Sequence, residues 1–163
     1  WVLGDVAALP LRDQAVDVVT CRRAAHHFPD ILAAMKEMRR MLRPGGRLVI
    51  DDRTVPDEPD LDALMNRLDV LHDPSHVREY RQDEWVALCE AVGLVPDIAE
   101  VYVRHRPLSS LTEGAGADEA AEILQLVEAM SPAQSAALDL ERRPDGYWFD
   151  HLYLMLRARC PGA

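Results

Sequence analysis

The sequence predicts an α/β fold built on an open parallel sheet, and three observations support this class. Residues 16–21 form a short, Val-rich apolar run, which is typical of a strand buried on both faces. An amphipathic helical pattern follows, and "RLVID" at 47–51 is typical of a second buried strand. A strand, a crossover helix and a strand in this order are almost always parallel, so we expect a doubly wound sheet.

Composition excludes several classes of protein. The chain of 163 residues is 48% apolar, which is sufficient for one domain with a core, and its formal charge of -10 opposes binding to nucleic acid. No apolar run is long enough to span a membrane. The cysteines are odd in number and form no CxxC pair: Cys21, Cys89 and Cys160. We therefore predict a cytoplasmic protein without disulfides, zinc, nucleic-acid partner or membrane contact.

The helix between the first two strands has a predicted start and end. Asp30 can cap its first turn, and "RPGG" at 43–46 supplies a glycine-rich stop. Its apolar residues follow the spacing of one helical face: Ile31, Met35, Met38 and Leu42.

Two more helices follow the second strand. Residues 54–60, "TVPDEPD", are predicted to form a loop, and helical spacing of leucines then runs from Leu61 to a stop before Pro74. Another helix is expected from about Asp83 to Val92, where Gly93 is placed to end it.

The last third of the chain predicts two strands and two helices. A strand over about Ile98–Arg104 alternates apolar and polar residues, as expected near a sheet edge. A helix over about Asp118–Met130 precedes a short helix that Ser131 caps. The final strand, residues 148–159, is apolar on both faces and should therefore lie inside the sheet.

Polar side chains follow each of the first two strands directly. They occupy residues 21–27 and 51–54, and ligands of open parallel sheets bind outside the carboxyl ends of the strands. The sequence therefore predicts a functional site on these two loops.

Three ordered motifs resemble the second half of a class I S-adenosylmethionine-dependent methyltransferase. They are "GDVAALPLRDQAVDVV" at 4–19, "AAHHFPD" at 24–30 and "EMRRMLRPGGRLVIDD" at 37–52. The chain is most similar to methyltransferase type 11, the ubiquinone/menaquinone-biosynthesis subgroup. A further segment, "HDPSHVREYRQDEW" at 72–85, is similar to an uncharacterised branch of that subgroup.

The resemblance also defines what is missing. It implies the C-terminal half of a Rossmann-like doubly wound sheet that lacks its first two βα units, including the glycine-rich turn and the acidic residue that bind the cofactor. "GAG" at 114–116 is no substitute, because no predicted strand precedes it. The chain also opens "WVLGDVAALP" without Met. We therefore expect an inactive fragment with one truncated domain, in which residues 1–53 complete the cofactor core and residues 54–163 form the remaining helices and strands.

Candidate cofactor contacts also come from the resemblance. Asp5 would accept a hydrogen bond from the adenine amino group of S-adenosylmethionine, with the Val6 N–H nearby; alternatively, Asp5 only forms a turn. Arg22 would lie near the methionine end of the cofactor, where it could bind that carboxylate or an anionic substrate. A surface arginine without a ligand is an equal alternative.

His26 and His27 are the candidate catalytic residues. Methyl transfer depends mainly on alignment, but a base helps where the acceptor must lose a proton, and imidazole suits that role near neutral pH. The alternative is that one histidine packs on the sheet and the other faces solvent. Asp51 and Asp52 rank below them, because paired acids at a strand end are common turn formers.

The segment around Pro74 offers no metal site, because that proline separates His72 from His76 and no third ligand lies nearby. The resemblance alone suggests that His76 and Arg78 shape a substrate lid.

Three functions remain open at this stage. The first is methyl transfer from S-adenosylmethionine to a small-molecule acceptor. The second is a non-catalytic α/β module that has lost cofactor binding, and the third is a nicotinamide-dependent oxidoreductase, for which the dinucleotide fingerprint is absent. The strand at 16–21 would be an unpaired apolar edge of the sheet, which would favour a homodimer of the fragment.

Overall fold

The computed structural model describes residues 1–162, which form a five-stranded mixed sheet and its helices. The strands are β1 (Val16–Arg22), β2 (Leu42–Arg53), β3 (Val95–Pro107), β4 (Glu141–Arg143) and β5 (Gly146–Arg159). The helices are α1 (Ile31–Met41), α2 (Pro59–His72), α3 (Gln82–Ala91), α4 (Ser109–Thr112), α5 (Ala117–Glu128) and α6 (Pro132–Ala137). A short 3₁₀ turn spans Ala25–His27.

The strand order is β1-β2-β5-β3, with β4 paired to part of β5. Strands β1 and β2 are parallel, and β5 is inserted antiparallel between β2 and β3. Tyr153 of β5 therefore lies between Arg53 of β2 and Tyr102 of β3 in the register. This confirms the predicted α/β class, the interior position of the last strand and the edge position of β3.

Helix α1 begins where the sequence predicts. The Asp30 carboxylate accepts a hydrogen bond of 2.9 Å from the Ala33 N–H, which satisfies one of the free donors of the first turn. The buried residues of the helix lie on the predicted face: Ile31, Ala34, Met35, Met38 and Met41.

Helix α1 ends one residue before its predicted last position, but β2 begins five residues earlier than predicted. The helix ends at Met41, and "RPGG" already belongs to β2. Gly46 is needed there because the strands approach closely: a Cβ atom on it would lie 2.9 Å from the Arg43 carbonyl oxygen and 3.0 Å from that of Asp17. Gly45 adopts φ +78°, the left-handed region that glycine favours.

Two apolar cores hold the sheet and helices together. The first packs α1 and α3 on the sheet, and its largest members include Met35, Leu48, Ile50, Trp85 and Leu156. The second joins α2, α4 and α5 to the start of β5, and it includes Met65, Leu68, Leu111, Ile123 and Phe149. None of the helices described within residues 1–162 has both the length and the apolarity needed to cross a bilayer.

Strand β1 differs from its prediction. It was expected to be buried on both faces, but only Cys21 is buried and Val18 is half exposed. Within residues 1–162 no element therefore covers the Val18 side chain completely. Within that part of the chain β1 also pairs with β2 alone, which confirms the predicted free edge.

Two short elements were not predicted from the sequence. Helix α4 is a single turn, and β4 consists of three polar, exposed residues that pair with β5. Helix α4 is too short to show a periodic apolar pattern. Strand β4 has no apolar residue, so its extended conformation depends on pairing with β5.

Candidate functional site

The loop after β1 and the end of β2 lie side by side, because parallel strands end at the same edge of the sheet. The Arg23 N–H donates to the Asp51 carbonyl oxygen at 2.9 Å, which extends the pairing beyond β1. Arg23 has φ +50°, a conformation that costs a non-glycine residue roughly 1 kcal/mol or more. Backbone strain is therefore held at the start of this loop.

Asp52 anchors the 3₁₀ turn that carries the two adjacent histidines. Its fully buried carboxylate accepts from the Ala25 N–H at 2.7 Å, the Arg53 N–H at 2.8 Å and the His26 Nδ1–H at 2.5 Å. Burial alone would raise the pKa of Asp52, but the hydrogen bonds from His26 and these N–H groups outweigh it and lower the pKa. Asp52 is thus ionised in the folded protein.

This carboxylate fixes the orientation of the His26 imidazole. Since an ionised carboxylate can only accept, Nδ1 of His26 carries the proton and Nε2 is left as the basic nitrogen. Within the described residues Nε2 makes no hydrogen bond, and 13% of the side chain remains exposed. His26 therefore has the features of a general base held by a carboxylate. Sequence reasoning missed this pairing, because Asp52 lies 26 residues further along the chain.

His27 faces a different partner. Its Nδ1 lies 3.1 Å from both the carbonyl oxygen and the hydroxyl of Ser75, and its Nε2 lies 4.0 Å from the Asp73 carboxylate. The rings of His26 and His27 are 4.1 Å apart. His27 thus connects the turn to the segment that follows α2.

That segment, residues 73–79, docks on the histidine turn. The N–H groups of Val77 and Arg78 both donate to the His26 carbonyl oxygen, at 2.9 and 3.1 Å. The buried His76 ring lies 5.6 Å from the His26 ring and donates from Nε2 to the Asn66 side-chain oxygen at 3.3 Å. Burial lowers the pKa of His76 to about 4, so this ring is neutral near pH 7.

The low pKa of His76 predicts a specific loss of stability in acid. The ordinary value is 6.5, so the unfolded chain gains a proton between pH 6.5 and 4 that the folded chain does not. Stability due to this group is present above pH 6.5 and decreases as the pH falls. In a His76→Gln variant, the decrease in unfolding free energy from pH 7 to pH 5 should be smaller by up to about 2 kcal/mol. Urea unfolding at both pH values measures it, and equal decreases in both proteins would contradict the prediction.

A buried ionic network lies beneath residues 73–79. The Arg53 guanidinium forms an ion pair with the Asp69 carboxylate at 2.8 Å, contacts the Glu79 carboxylate through Nε and donates to Nδ1 of His151 at 3.1 Å. Burial raises the pKa of Glu79, and it lowers that of His151 to about 3 with a contribution from Arg53. Sequence reasoning did not identify this network. The only local indication of a buried acid is that Asp69 directly follows Leu68 in α2, within the apolar pattern of the helix.

Arg22 lies on the exposed side of the site. Its Nε is 3.0 Å from the Asp51 carboxylate, whose other oxygen accepts from the Tyr102 hydroxyl at 2.7 Å. The Tyr102 hydroxyl in turn accepts from Arg23 at 2.9 Å. Burial would raise the pKa of Asp51, but the bonds from Tyr102 and Arg22 lower it. The structure thus brings Arg22 to an acidic partner and leaves most of its side chain in solvent.

Asp5 and Val6 form the predicted turn at the start of the chain. Asp5 accepts from the Ala7 N–H at 2.9 Å through Oδ1, while Oδ2 accepts no hydrogen bond within the described residues. Val6 packs against the first core. The exposed free oxygen of Asp5 therefore fits an amino donor such as that of adenine. Gly114 and Gly116 lie between α4 and α5 and not after a strand, so the residues present fit only this part of the cofactor.

The structure does not bring His72 and His76 together as ligands, since His72 bonds the Leu111 carbonyl oxygen at 2.8 Å. A different set of potential ligand atoms lies within 4.8 Å of one another, in His105, Asp139 and Asp150. Within that set, His105 and Asp150 already form a hydrogen bond of 2.8 Å.

Comparison with known proteins gives matches in sequence. Residues 1–50 match a family model described as a methyltransferase domain. The chain is 44% identical over 88 residues to the uncharacterized methyltransferase YcgJ of Bacillus subtilis, which covers 54% of this chain and 35% of that protein. It is 32% identical over 100 residues to a demethylmenaquinone methyltransferase of Mycobacterium sp., covering 60% and 44%. The matched part thus spans less than half of these relatives.

Solved structures share the fold over almost the whole chain. YcgJ of Bacillus subtilis superposes with a TM-score of 0.91 at 29% identity, over 98% of this chain and 70% of that one. A candidate methyltransferase of Bacillus halodurans reaches a TM-score of 0.93 at 23% identity, over 99% and 77%. The second likeness shows the fold alone, whereas the first agrees with the sequence match.

Proposed function

We propose that this chain, which belongs to the class I S-adenosylmethionine-dependent methyltransferases, takes part in methyl transfer to a small-molecule acceptor that loses a proton as it attacks. The observation that carries the proposal is the His26–Asp52 pair. It joins an oriented imidazole to an ionised, buried carboxylate at the carboxyl ends of two parallel strands.

Each residue of the site has a role in this proposal. S-adenosylmethionine, when bound, supplies an electrophilic methyl group on a sulfonium centre. Asp5 and the Val6 N–H hold the adenine end. His26 accepts the acceptor's proton on Nε2, and Asp52 keeps Nδ1 protonated and stabilises the imidazolium that forms.

His27 and Arg22 assist from either side of this pair. His27 holds residues 73–79 against the turn through Ser75, which limits access of water to His26. Arg22 remains available to an anion, either the cofactor carboxylate or a group on the acceptor, because most of its side chain is exposed.

Relatives support a small organic acceptor. Two of them are described as a demethylmenaquinone methyltransferase and a 27-O-demethylrifamycin SV methyltransferase. The alternative of a non-catalytic module has no support from the relatives.

The proposal includes a cytoplasmic location and self-association. The three cysteines are free and buried, as expected in a reducing cytoplasm. The free edge of β1 and the half-exposed Val18 support a homodimer formed by two copies of this 163-residue chain.

Cofactor binding is tested by thermal unfolding with and without S-adenosylhomocysteine. We expect the full product of the gene to be stabilised by about 2.7 kcal/mol when the ligand is at 100 times its Kd, and this 163-residue chain to gain less. An Asp5→Ala variant of the full product should bind roughly tenfold more weakly, which is the loss of about 1.4 kcal/mol.

The matched control is Asp57→Ala, because Asp57 is an exposed acid that accepts no hydrogen bond within the described residues. It should bind like the unmodified protein. Absence of any shift in the full product would reject cofactor binding, and equal effects of the two variants would reject the role of Asp5.

A further inference from the structure

Three arginines surround a pair of tyrosines beside the histidine turn. The rings of Tyr102 and Tyr153 are stacked with centroids 5.3 Å apart, and the Arg23 guanidinium carbon lies 3.7 Å from the Tyr153 centroid. Arg104 lies 5.4 Å from the same centroid, and Arg106 lies two residues further along β3, on the same face of the strand as Arg104. We refer to these five residues as the arginine–tyrosine cluster.

The cluster has a surplus of positive charge. Asp51 is the carboxylate that reaches it, through the Tyr102 hydroxyl and at 3.7 Å from Arg23, and Asp51 is shared with Arg22. Arg104 and Arg106 form no ion pair with a carboxylate within residues 1–162, and their residues are exposed. A cluster of three arginines that is reached by one carboxylate is unexpected in a chain with a formal charge of -10, where carboxylates outnumber cations.

The positive charge of the cluster affects the pKa of Tyr153. Burial would raise the pKa of its hydroxyl, but the nearby guanidinium groups of Arg106 and Arg23 outweigh that effect and lower the pKa. The hydroxyl thus lies in a positive field that the described carboxylates do not neutralise.

The cluster adjoins the candidate base. Arg23 begins the loop that carries His26 three residues later, and its backbone has φ +50°. Its Nε atom is buried and has no hydrogen-bond partner within the described residues. A buried donor that makes no hydrogen bond, beside two exposed guanidinium groups, favours an anion in the site, since guanidinium groups bind carboxylate and phosphate in a fixed, often bidentate geometry.

We propose that the arginine–tyrosine cluster binds an anionic group of the methyl acceptor, either a carboxylate or a phosphate. This inference depends on the proposed function, because it assigns the acceptor's class. The exposed guanidinium groups of Arg104 and Arg106 would bind the anion, while the attacking atom of the acceptor reaches His26.

The test measures binding of simple probes to the full product of the gene by calorimetry, without cofactor. The probes are benzoate, inorganic phosphate and the neutral amide benzamide. We expect benzoate or phosphate to bind and benzamide not to bind. Arg104→Gln should weaken anion binding about tenfold, as expected for loss of one charge-assisted contact, and adding Arg106→Gln should abolish it.

Arg142→Gln is the matched control. Arg142 is also exposed and lies 5.8 Å from a tyrosine centroid, that of Tyr147, but it is outside the cluster. It should bind the probes like the unmodified protein. Equal binding of benzoate and benzamide, or equal loss in the Arg142 and Arg104 variants, would overturn the inference.

Different experimental results would reject the proposed methyl transfer and the proposed anion site. If the anion binds through Arg104 but the full product transfers no methyl group to any acceptor, the proposed function fails and the anion site stands as a binding site. If methyl transfer occurs on neutral acceptors and is unchanged by Arg104→Gln, the proposed function stands and the anion subsite is rejected. The relative effects of benzoate and phosphate identify which anion the site prefers.

Discussion

Replacing His26 by Ala is expected to lower the rate of methyl transfer by the full product of the gene by about 10²- to 10³-fold near pH 7. The reason is that Nε2 is the nitrogen left free to accept a proton when Asp52 accepts from Nδ1. Asp52→Asn should cause a loss of similar size, because an amide can donate to Nδ1 and favour the wrong tautomer. Initial rates with saturating S-adenosylmethionine measure both losses.

Cofactor binding separates this role from a structural one. Both variants should still be stabilised by S-adenosylhomocysteine. His27→Ala is the neighbouring comparison, and its loss should be less than about tenfold, since His27 bonds Ser75 at the surface. A larger loss in His27→Ala than in His26→Ala would reverse the assignment of the base.

Arg53→Met is expected to have the largest effect on stability, about 3–5 kcal/mol of unfolding free energy. The variant removes the cation that Asp69 and Glu79 share, and both acids are buried. Burial already raises the pKa of Glu79, so loss of the arginine must leave protonated or unpaired acids in the interior. Urea unfolding at pH 7 measures the change.

An exposed ion pair supplies the control for this experiment. Arg67 contacts Glu122 at 2.5 Å, but the two side chains are 50% and 42% exposed, so Arg67→Met should cost less than about 1 kcal/mol. A variant that combines Arg53→Met with Asp69→Asn and Glu79→Gln should recover part of the lost stability, because no buried charge is left unpaired. Equal stabilities of the Arg53 and Arg67 variants would show that the buried network contributes nothing.

Local patterns predicted most of the fold. The capping aspartate of α1, the helices around Leu61 and Trp85 and the interior position of β5 all follow from apolar spacing and turn residues close in sequence. Burial of β1 was predicted incorrectly, because it depends on what covers the strand and not on the strand's own residues.

The candidate site was predicted only in outline. The position of the site after two parallel strands follows from topology, and the histidines are visible as an unusual pair. The hydrogen-bond partner of His26 could not be predicted, because the choice between Asp51 and Asp52 depends on which face of β2 each side chain occupies. The contacts of His76 and Glu79 depend in the same way on how residues 73–79 fold back.

The place of β5 in the sheet has a consequence for how the protein forms during synthesis. β5 lies between β2 and β3, yet it follows both in the chain. While a ribosome extends the chain, β2 and β3 can each fold with local helices, but they cannot be joined until residues 146–159 have emerged. Tyr102 and Tyr153 come together only at that moment. The arginine–tyrosine cluster is therefore among the last parts of the molecule to form, and a nascent chain without β5 has no such cluster.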